Sequence, residues 1–222
     1  IAALNVFCSQ TLQASAYSDL VNSYGPVAYW RLGETSGTTA IDETGNHNGT
    51  YQNGYTFGQA GAVEGDSNTS VDFAGNANDR VQVTSFDVSG SGITLMAWFR
   101  ADAMEDVRLI SKANGTNIPD HWWMLGINSA TQLKFRLKIN GTTQELQPTV
   151  STMSTGTWYF AVATYDGSTM RLYLNGSQVG SASYSGTVST SGSVNVGVGN
   201  QPSGAGDRAV NGRLDEVAVF DK

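Results

Sequence analysis

The sequence predicts an all-β fold, an antiparallel two-sheet sandwich with one short helix near its start, and three observations predict it. Short runs rich in Val, Ile, Tyr, Phe and Trp recur between turns of Gly, Asn and Ser along 222 residues, the spacing of a sandwich rather than of alternating strands and helices. Two Asn-Gly pairs, Asn140-Gly141 and Asn175-Gly176, join such runs as two-residue hairpins, because both turn positions favour positive φ. The segment LKFRLKI at 133–139 alternates without a break, with four apolar residues on one face and Lys134, Arg136 and Lys138 on the other.

Taken in order, residues 16–24 place Tyr17, Leu20, Val21 and Tyr24 at helical spacing, with Gly25-Pro26 as the stop. Strands are predicted over 27–32, 70–73, 80–83, 94–100, 108–112 and 122–127, and again over 133–139, 158–165, 170–174, 178–184, 194–198 and 214–220. The Gly, Ser and Asn stretches at 75–78 and 200–211 read as surface loops, because strands resume on both sides. Residues 1–16 form an N-terminal extension or the end of a preceding region, and 17–222 form one domain.

Composition narrows the function classes. Hydrophobic residues make up 40% of the chain and aromatics 10%, enough to fill the space between two sheets. The formal net charge is -7 and no run of Lys or Arg occurs, which excludes a phosphate-backbone binder and leaves nucleic acid off the partner list. No apolar stretch approaches the roughly 18 residues of a membrane span, so no membrane insertion is expected. Cys8 stands alone, so an intramolecular disulfide and a multi-cysteine zinc site are excluded. The termini read as those of a fragment serving a larger assembly.

An ordered series of motifs carries a family resemblance. PVAYWRLGE at 26–34, DETGN at 42–46 and NGTY at 48–51 are followed by VDF at 71–73, DRV at 79–81 and TLMAWF at 94–99. WYFAV at 158–162, YDG at 165–167, LYLNG at 172–176 and GRLDEV at 212–217 complete the series. It resembles the laminin G-like modules of the concanavalin A-like superfamily over residues 17–222. The resemblance implies a jelly roll of two curved sheets, often with calcium near its rim, in a secreted, cell-surface or virion-surface protein.

Period-2 alternation in 214–220 puts Asp215 on the face of Val217 and Val219, where a carboxylate needs a partner. Residue pattern alone leaves Asp42 and Asn46 as caps of a turn around Gly45 and Asp215 as an arginine's partner. The resemblance adds calcium as cofactor, held between Asp215 and oxygen ligands at Asp42 and Asn46.

For a carbohydrate or glycoprotein ligand, a ring stacks on a sugar's apolar face while charged and amide groups bond its hydroxyls. Trp30, Trp98 and Trp158 lie within predicted strands and are assigned to the core. His121-Trp122-Trp123 follows a loop, and one of the two adjacent rings faces away from the core by alternation. Arg108, Lys112, Arg136 and Asn200 are candidate hydrogen-bonding groups around it, while the Lys134, Arg136 and Lys138 stripe is read as a solvated face.

Catalysis lacks its parts. Glu64-Gly-Asp66 begins a paired-carboxylate pattern but sits among turn residues, and His47 and His121 are the chain's two histidines. The expectation is a non-catalytic binding or adhesion module. A structural module of a phage tail or capsid is the alternative, and a polysaccharide hydrolase or lyase the second alternative.

Overall fold

The computed structural model describes residues 11–202 and 208–222, with side chains from Ala16 onward. Helix α1 (Thr11–Ser23) opens it, followed by β1 (Ala28–Trp30), β2 (Thr39–Ala40), β3 (Gly49–Gln52), β4 (Tyr55–Ala60), β5 (Thr69–Ala74) and β6 (Arg80–Val83). Next come β7 (Ile93–Ala101), β8 (Val107–Ala113), a 3-10 turn (Ile118–Asp120), β9 (His121–Ser129), β10 (Gln132–Ile139) and β11 (Thr142–Leu146). The chain ends through β12 (Tyr159–Tyr165), β13 (Thr169–Leu174), β14 (Ser177–Ser183), β15 (Val196–Val198) and β16 (Asn211–Phe220).

Two antiparallel sheets result, each of eight strands. The first runs β14-β13-β12-β7-β16-β5-β4, with β1 also on β16, and the second runs β11-β10-β9-β8-β15-β6-β3-β2. The hairpins at Asn140-Gly141 and Asn175-Gly176 form as expected, with φ of 48° and 82° in one and 50° and 80° in the other. Between the sheets lies one core that includes Trp30, Phe73, Phe99, Trp123, Phe135 and Tyr165. Cores of this kind tolerate little volume change, which fixes the sheets relative to each other.

Strand β16 explains a departure from simple alternation. Asp215 lies opposite Trp98 and Ala218 opposite Met96, so Glu216 and Val217 share a single partner position in a bulge, with Glu216 at a left-handed φ of 53°. The extra residue keeps both Leu214 and Val217 in the core and turns Asp215 and Glu216 away from it. Asp215 therefore does not share a face with Val217 and Val219, because the bulge resets the period between them. β5 pairs with β16 up to Leu214, and β1 takes over from Val217, leaving the acidic pair at the handover.

Outside the first sheet, α1 packs Tyr17 and Val21 on Tyr29, Met96, Ala218 and Phe220. Trp98 belongs to this outer layer and not to the core: its indole N–H donates to Tyr17 Oη at 2.9 Å and its ring stacks on Phe160. Trp158 precedes β12 and is half-buried. Alternation within β7 is what sends Trp98 outward, since Ala97 and Phe99 point inward. Trp30 is in the core as expected.

Candidate ligand-binding face

The outer face of the second sheet gathers polar groups that sequence reasoning scattered. Across β8, β9 and β10, Arg108 and Lys134 both lie opposite Gly126, and one row further Ser111 and Arg136 both lie opposite Met124. Gly126 is required there: a Cβ would come 2.3 Å from the Val107 carbonyl oxygen. His121 joins the group because β9 is irregular at Trp122, where Lys112 pairs with Trp123 and Ala113 with His121. Its Nδ1 lies 2.9 Å from the Asn117 carbonyl and 3.3 Å from Arg136 Nη1.

This face is not a solvated stripe. Lys134 is 3% exposed and Arg136 7%, and Arg108 is fully buried. Asp106 binds Arg108 at 2.5 Å, Lys134 at 2.7 Å and Arg208 at 3.3 Å, and Glu145 binds Arg136 at 2.7 Å. Burial pushes the Asp106 carboxyl up, and Lys134 and Arg108 more than reverse that push and hold it below its ordinary range. Burial, then the nearby Arg108 and Arg136, lowers His121 to about 4, so its imidazole is neutral at pH 7.

The segment after β15 covers the neighbouring part of the sheet. A Cβ on Gly197 would come 2.5 Å from the Asn200 carbonyl, so this stretch lies directly on the strand, over the pair formed by Gly197 and Ser111. Asn200 holds it there, donating to the Ala77 carbonyl at 2.9 Å and accepting from the Gln201 N–H at 2.8 Å. Its amide is thus committed to the loop. Among the described residues several buried atoms have no hydrogen-bond partner: Arg108 Nε, Ser111 Oγ, His121 Nε2 and both amide atoms of Gln201. Such groups are rare in native interiors and call for an occupant or a role.

The two tryptophans divide as alternation requires. Trp123 is 1% exposed and packs on Phe86 in the core, so it is removed from the ligand candidates by its burial. Trp122 is half-buried, donates to the Thr190 carbonyl at 3.0 Å, and has Lys138 Nζ 3.9 Å from its ring centroid, which occupies one face. Lys112 leaves the candidate site too. Its ammonium turns to Asp87 at 3.0 Å and the Phe86 carbonyl at 2.5 Å.

The residues expected to hold calcium do not fit it as one site. Asp42 accepts at Oδ1 from the N–H groups of Tyr29 and Thr44, and at Oδ2 from Thr44 Oγ1 and the N–H groups of Asn46 and His47. A carboxylate has about four lone-pair directions, so five donors exhaust it. Asn46 is exposed, and its side chain donates to Thr44 Oγ1 at 3.4 Å. Asp215 has other partners, the Ala62 N–H at 2.7 Å and Asn68 Nδ2 at 3.4 Å. Among the described residues no three His, Cys, Asp or Glu side chains form a metal-holding group.

Asp215 and Glu216 are instead part of a buried network at the bulge. Glu216 accepts from Tyr29 Oη and pairs with Arg31 at 3.0 Å, and Arg31 also binds Asp66 at 2.6 Å. Burial pushes Asp215 up to about 7, against the Ala62 N–H and Arg31, and pushes Glu216 up to about 8 despite the guanidinium beside it.

Two layered antiparallel sheets with a polar outer face define a jelly roll of the concanavalin A-like class. The family model for laminin G-like members of the concanavalin A-like lectin/glucanases superfamily matches residues 73–222, and the chain belongs to that family. No curated protein sequence matches the chain. The binding domain of Paraclostridial Mosquitocidal Protein 1 is similar at 18% identity and a TM-score of 0.63, over 89% of this chain and 49% of that one. This chain thus spans about half of that toxin domain. Domain 4 of AbnA, an extracellular arabinanase from Geobacillus stearothermophilus solved with arabinotriose, is similar at 16% identity and a TM-score of 0.60, over 88% of this chain and 91% of that one. The Ruminococcus gnavus sialidase module solved with sialyllactose is 16% identical, with a TM-score of 0.50, over 60% of this chain and 76% of that one. At these identities the likeness shows the fold.

Proposed function

We propose that the chain is a non-catalytic carbohydrate-binding module of a larger extracellular, cell-surface or virion-surface protein, with its ligand on the outer face of the second sheet. The observation that carries this reading is the set of buried, unpartnered polar atoms on Arg108, Ser111, His121 and Gln201. Each costs on the order of 1–3 kcal/mol while it lacks a partner, and a sugar's hydroxyl array supplies donors and acceptors of both kinds. The arabinanase domain and the sialidase module, solved with their sugars, give the same fold a carbohydrate ligand in two other proteins.

A non-catalytic role is supported at the same face. Its carboxylates, Asp106 and Glu145, are each held in ion pairs with Arg or Lys, whereas glycoside hydrolysis needs an acid and a free carboxylate across the scissile bond. Calcium has no place in this reading, because Asp42 has no acceptor capacity left.

A glycan array probed with the chain and with Arg136→Met tests the proposal. Binding by the chain that drops tenfold or more in the variant supports it. Silence across the array, or hits untouched by Arg136→Met, overturns this location and shifts weight to a structural module that contacts only protein.

A further inference from the structure

We propose that Asn114-Gly115 is a self-modification site of the folded chain, where Asn114 converts through a cyclic imide to aspartate and isoaspartate, and that the conversion loosens the loop holding His121 and Arg136.

The chain contains six Asn-Gly pairs, beginning at Asn48, Asn53, Asn114, Asn140, Asn175 and Asn211. All six carry the same latent chemistry, because glycine has no side chain to shield its nitrogen from the preceding carboxamide. The glycine nitrogen attacks the asparagine Cγ, the new C–N bond closes a five-membered succinimide, and the side-chain nitrogen leaves as ammonia with the proton of the attacking amide. Water then opens the ring at either carbonyl. One opening gives aspartate, and the other gives isoaspartate, with the main chain rerouted through Cβ. Oxidation states do not change, and water is the only co-reactant. The fold decides which carboxamide can turn onto the nitrogen that follows it.

Five of the six pairs are held. Asn48 Oδ1 accepts from the Asp42 N–H at 2.8 Å, and Gly49 is paired on both sides, with Ala40 and Val83. Asn53 donates to the Asn78 carbonyl at 2.7 Å, and the Gly54 N–H is taken by Asp79 at 2.8 Å. Asn140 Oδ1 accepts from the Thr187 N–H at 3.0 Å while the Gly141 N–H donates to Ser189 Oγ at 2.8 Å. Asn175 Oδ1 accepts from the Phe160 N–H at 2.8 Å. Gly212, after Asn211, is paired with Phe73 on one side and Ala101 on the other.

Asn114 differs. It is exposed in the bend between β8 and the 3-10 turn, and among the described residues neither its carboxamide nor the Gly115 N–H has a hydrogen-bond partner. Its own N–H donates to the Asp120 carbonyl at 3.0 Å, which closes the loop without restraining the side chain. That loop supplies three carbonyls to the candidate face. Thr116 accepts from Arg136 Nη1 at 3.1 Å, Asn117 lies 2.9 Å from His121 Nδ1, and Pro119 accepts from Lys138 Nζ at 2.8 Å. Isoaspartate lengthens the main chain at the first residue of this loop. Either product also adds a carboxylate beside Gly115, where a Cβ would already come 2.7 Å from Asp120 Oδ2, and like charges so placed repel.

Incubation of the intact chain at mildly alkaline pH, followed by peptide mapping with mass spectrometry, reads conversion at all six sites, and an isoaspartate-specific methyltransferase labels the rerouted product. In the folded chain Asn114 is expected to convert at least tenfold faster than each of the other five, and in urea the six rates are expected to converge to within a few-fold. Hydrogen exchange at the amides of 116–120 is expected to rise at least tenfold in the converted sample. Equal rates in the folded chain, or a gap that survives in urea, overturn the site. Unchanged exchange at 116–120 overturns its effect on the loop. Asn114→Gln, incubated in parallel, is expected to lose both the label at this loop and the rise in exchange; a rise that persists in that variant overturns the link between them. No glycan enters these measurements, so they are decided apart from the binding-module reading.

Discussion

Asp42 organises a loop by accepting five hydrogen bonds, four of them from backbone N–H groups. The residue is buried with them, at 2% exposure. Asp42→Ala therefore strips several donors at once, and the expected loss is roughly 3–5 kcal/mol of unfolding free energy, read by urea denaturation. Calcium at millimolar concentration is expected to leave the midpoint of the wild-type chain unmoved; a rise in that midpoint counts against the hydrogen-bonded reading of the loop. Gln201 predicts the opposite sign. Both its amide atoms are buried without a partner, so Gln201→Leu is expected to stabilise the free protein by about 1 kcal/mol while weakening glycan binding, separable by denaturation and titration. The two residues show what a sequence conveys at this scale. The Asp42-Glu-Thr-Gly-Asn46 spacing announces a carboxylate wrapped by its own loop; it does not say whether backbone N–H groups or a cation fill the wrap. Alternation likewise put Lys134 and Arg136 on the outer face, and nothing in 133–139 records the ion pairs with Asp106 and Glu145 that bury them.

At the scale of elements, β16 sets the pH dependence. Its bulge turns Asp215 and Glu216 into a buried network where their carboxyls sit at about 7 and about 8, against roughly 4 in an unfolded chain. Between those values the folded state binds more protons than the unfolded state, so stability is greatest below pH 4 from this source and falls as pH rises toward 8. Urea midpoints at pH 5, 6.5 and 8 are expected to decline, and Asp215→Asn with Glu216→Gln to flatten the decline. Helix α1 carries the second element-scale expectation. Tyr17 Oη is the acceptor for the Trp98 indole N–H at 2.9 Å, so Tyr17→Phe leaves a half-buried donor unpaired and costs on the order of 1 kcal/mol, with a shift in tryptophan fluorescence. Most strands were legible because period-2 patterning and Asn-Gly turns are local signals. β4 was not legible and is not among the predicted strands: Gly58, at a φ of 71°, interrupts 55–60, and the register with β5 shifts between Thr56 and Gln59, so the strand shows only through its pairing with β5. Neither was the bulge, because Leu214 through Phe220 alternates on paper and only the handover from β5 to β1 breaks the period.

The whole molecule joins residues that no sequence window contains. Strand order in both sheets is non-sequential, and the candidate face is assembled from β8, β9, β10 and the segment after β15. The resemblance fixed the jelly roll; it did not place Gln201 over Ser111, since long-range pairing leaves no local trace. Charge also has to be read at this scale. The chain carries a formal charge of -7, and on the candidate face Asp106 and Glu145 are each held in ion pairs with Arg or Lys. The field of the whole molecule therefore works against an anionic ligand and leaves a neutral one untouched. Between 0.01 M and 0.15 M salt the Debye length shortens from about 30 Å to about 8 Å, but a neutral sugar offers no charge for that change to act on. The association rate of a neutral glycan is accordingly expected to stay constant across that range in surface-plasmon measurements. A rate that fell steeply with salt would mean that the encounter is governed by exposed positive charge on the protein and an anionic ligand, and would count against a neutral sugar on this face.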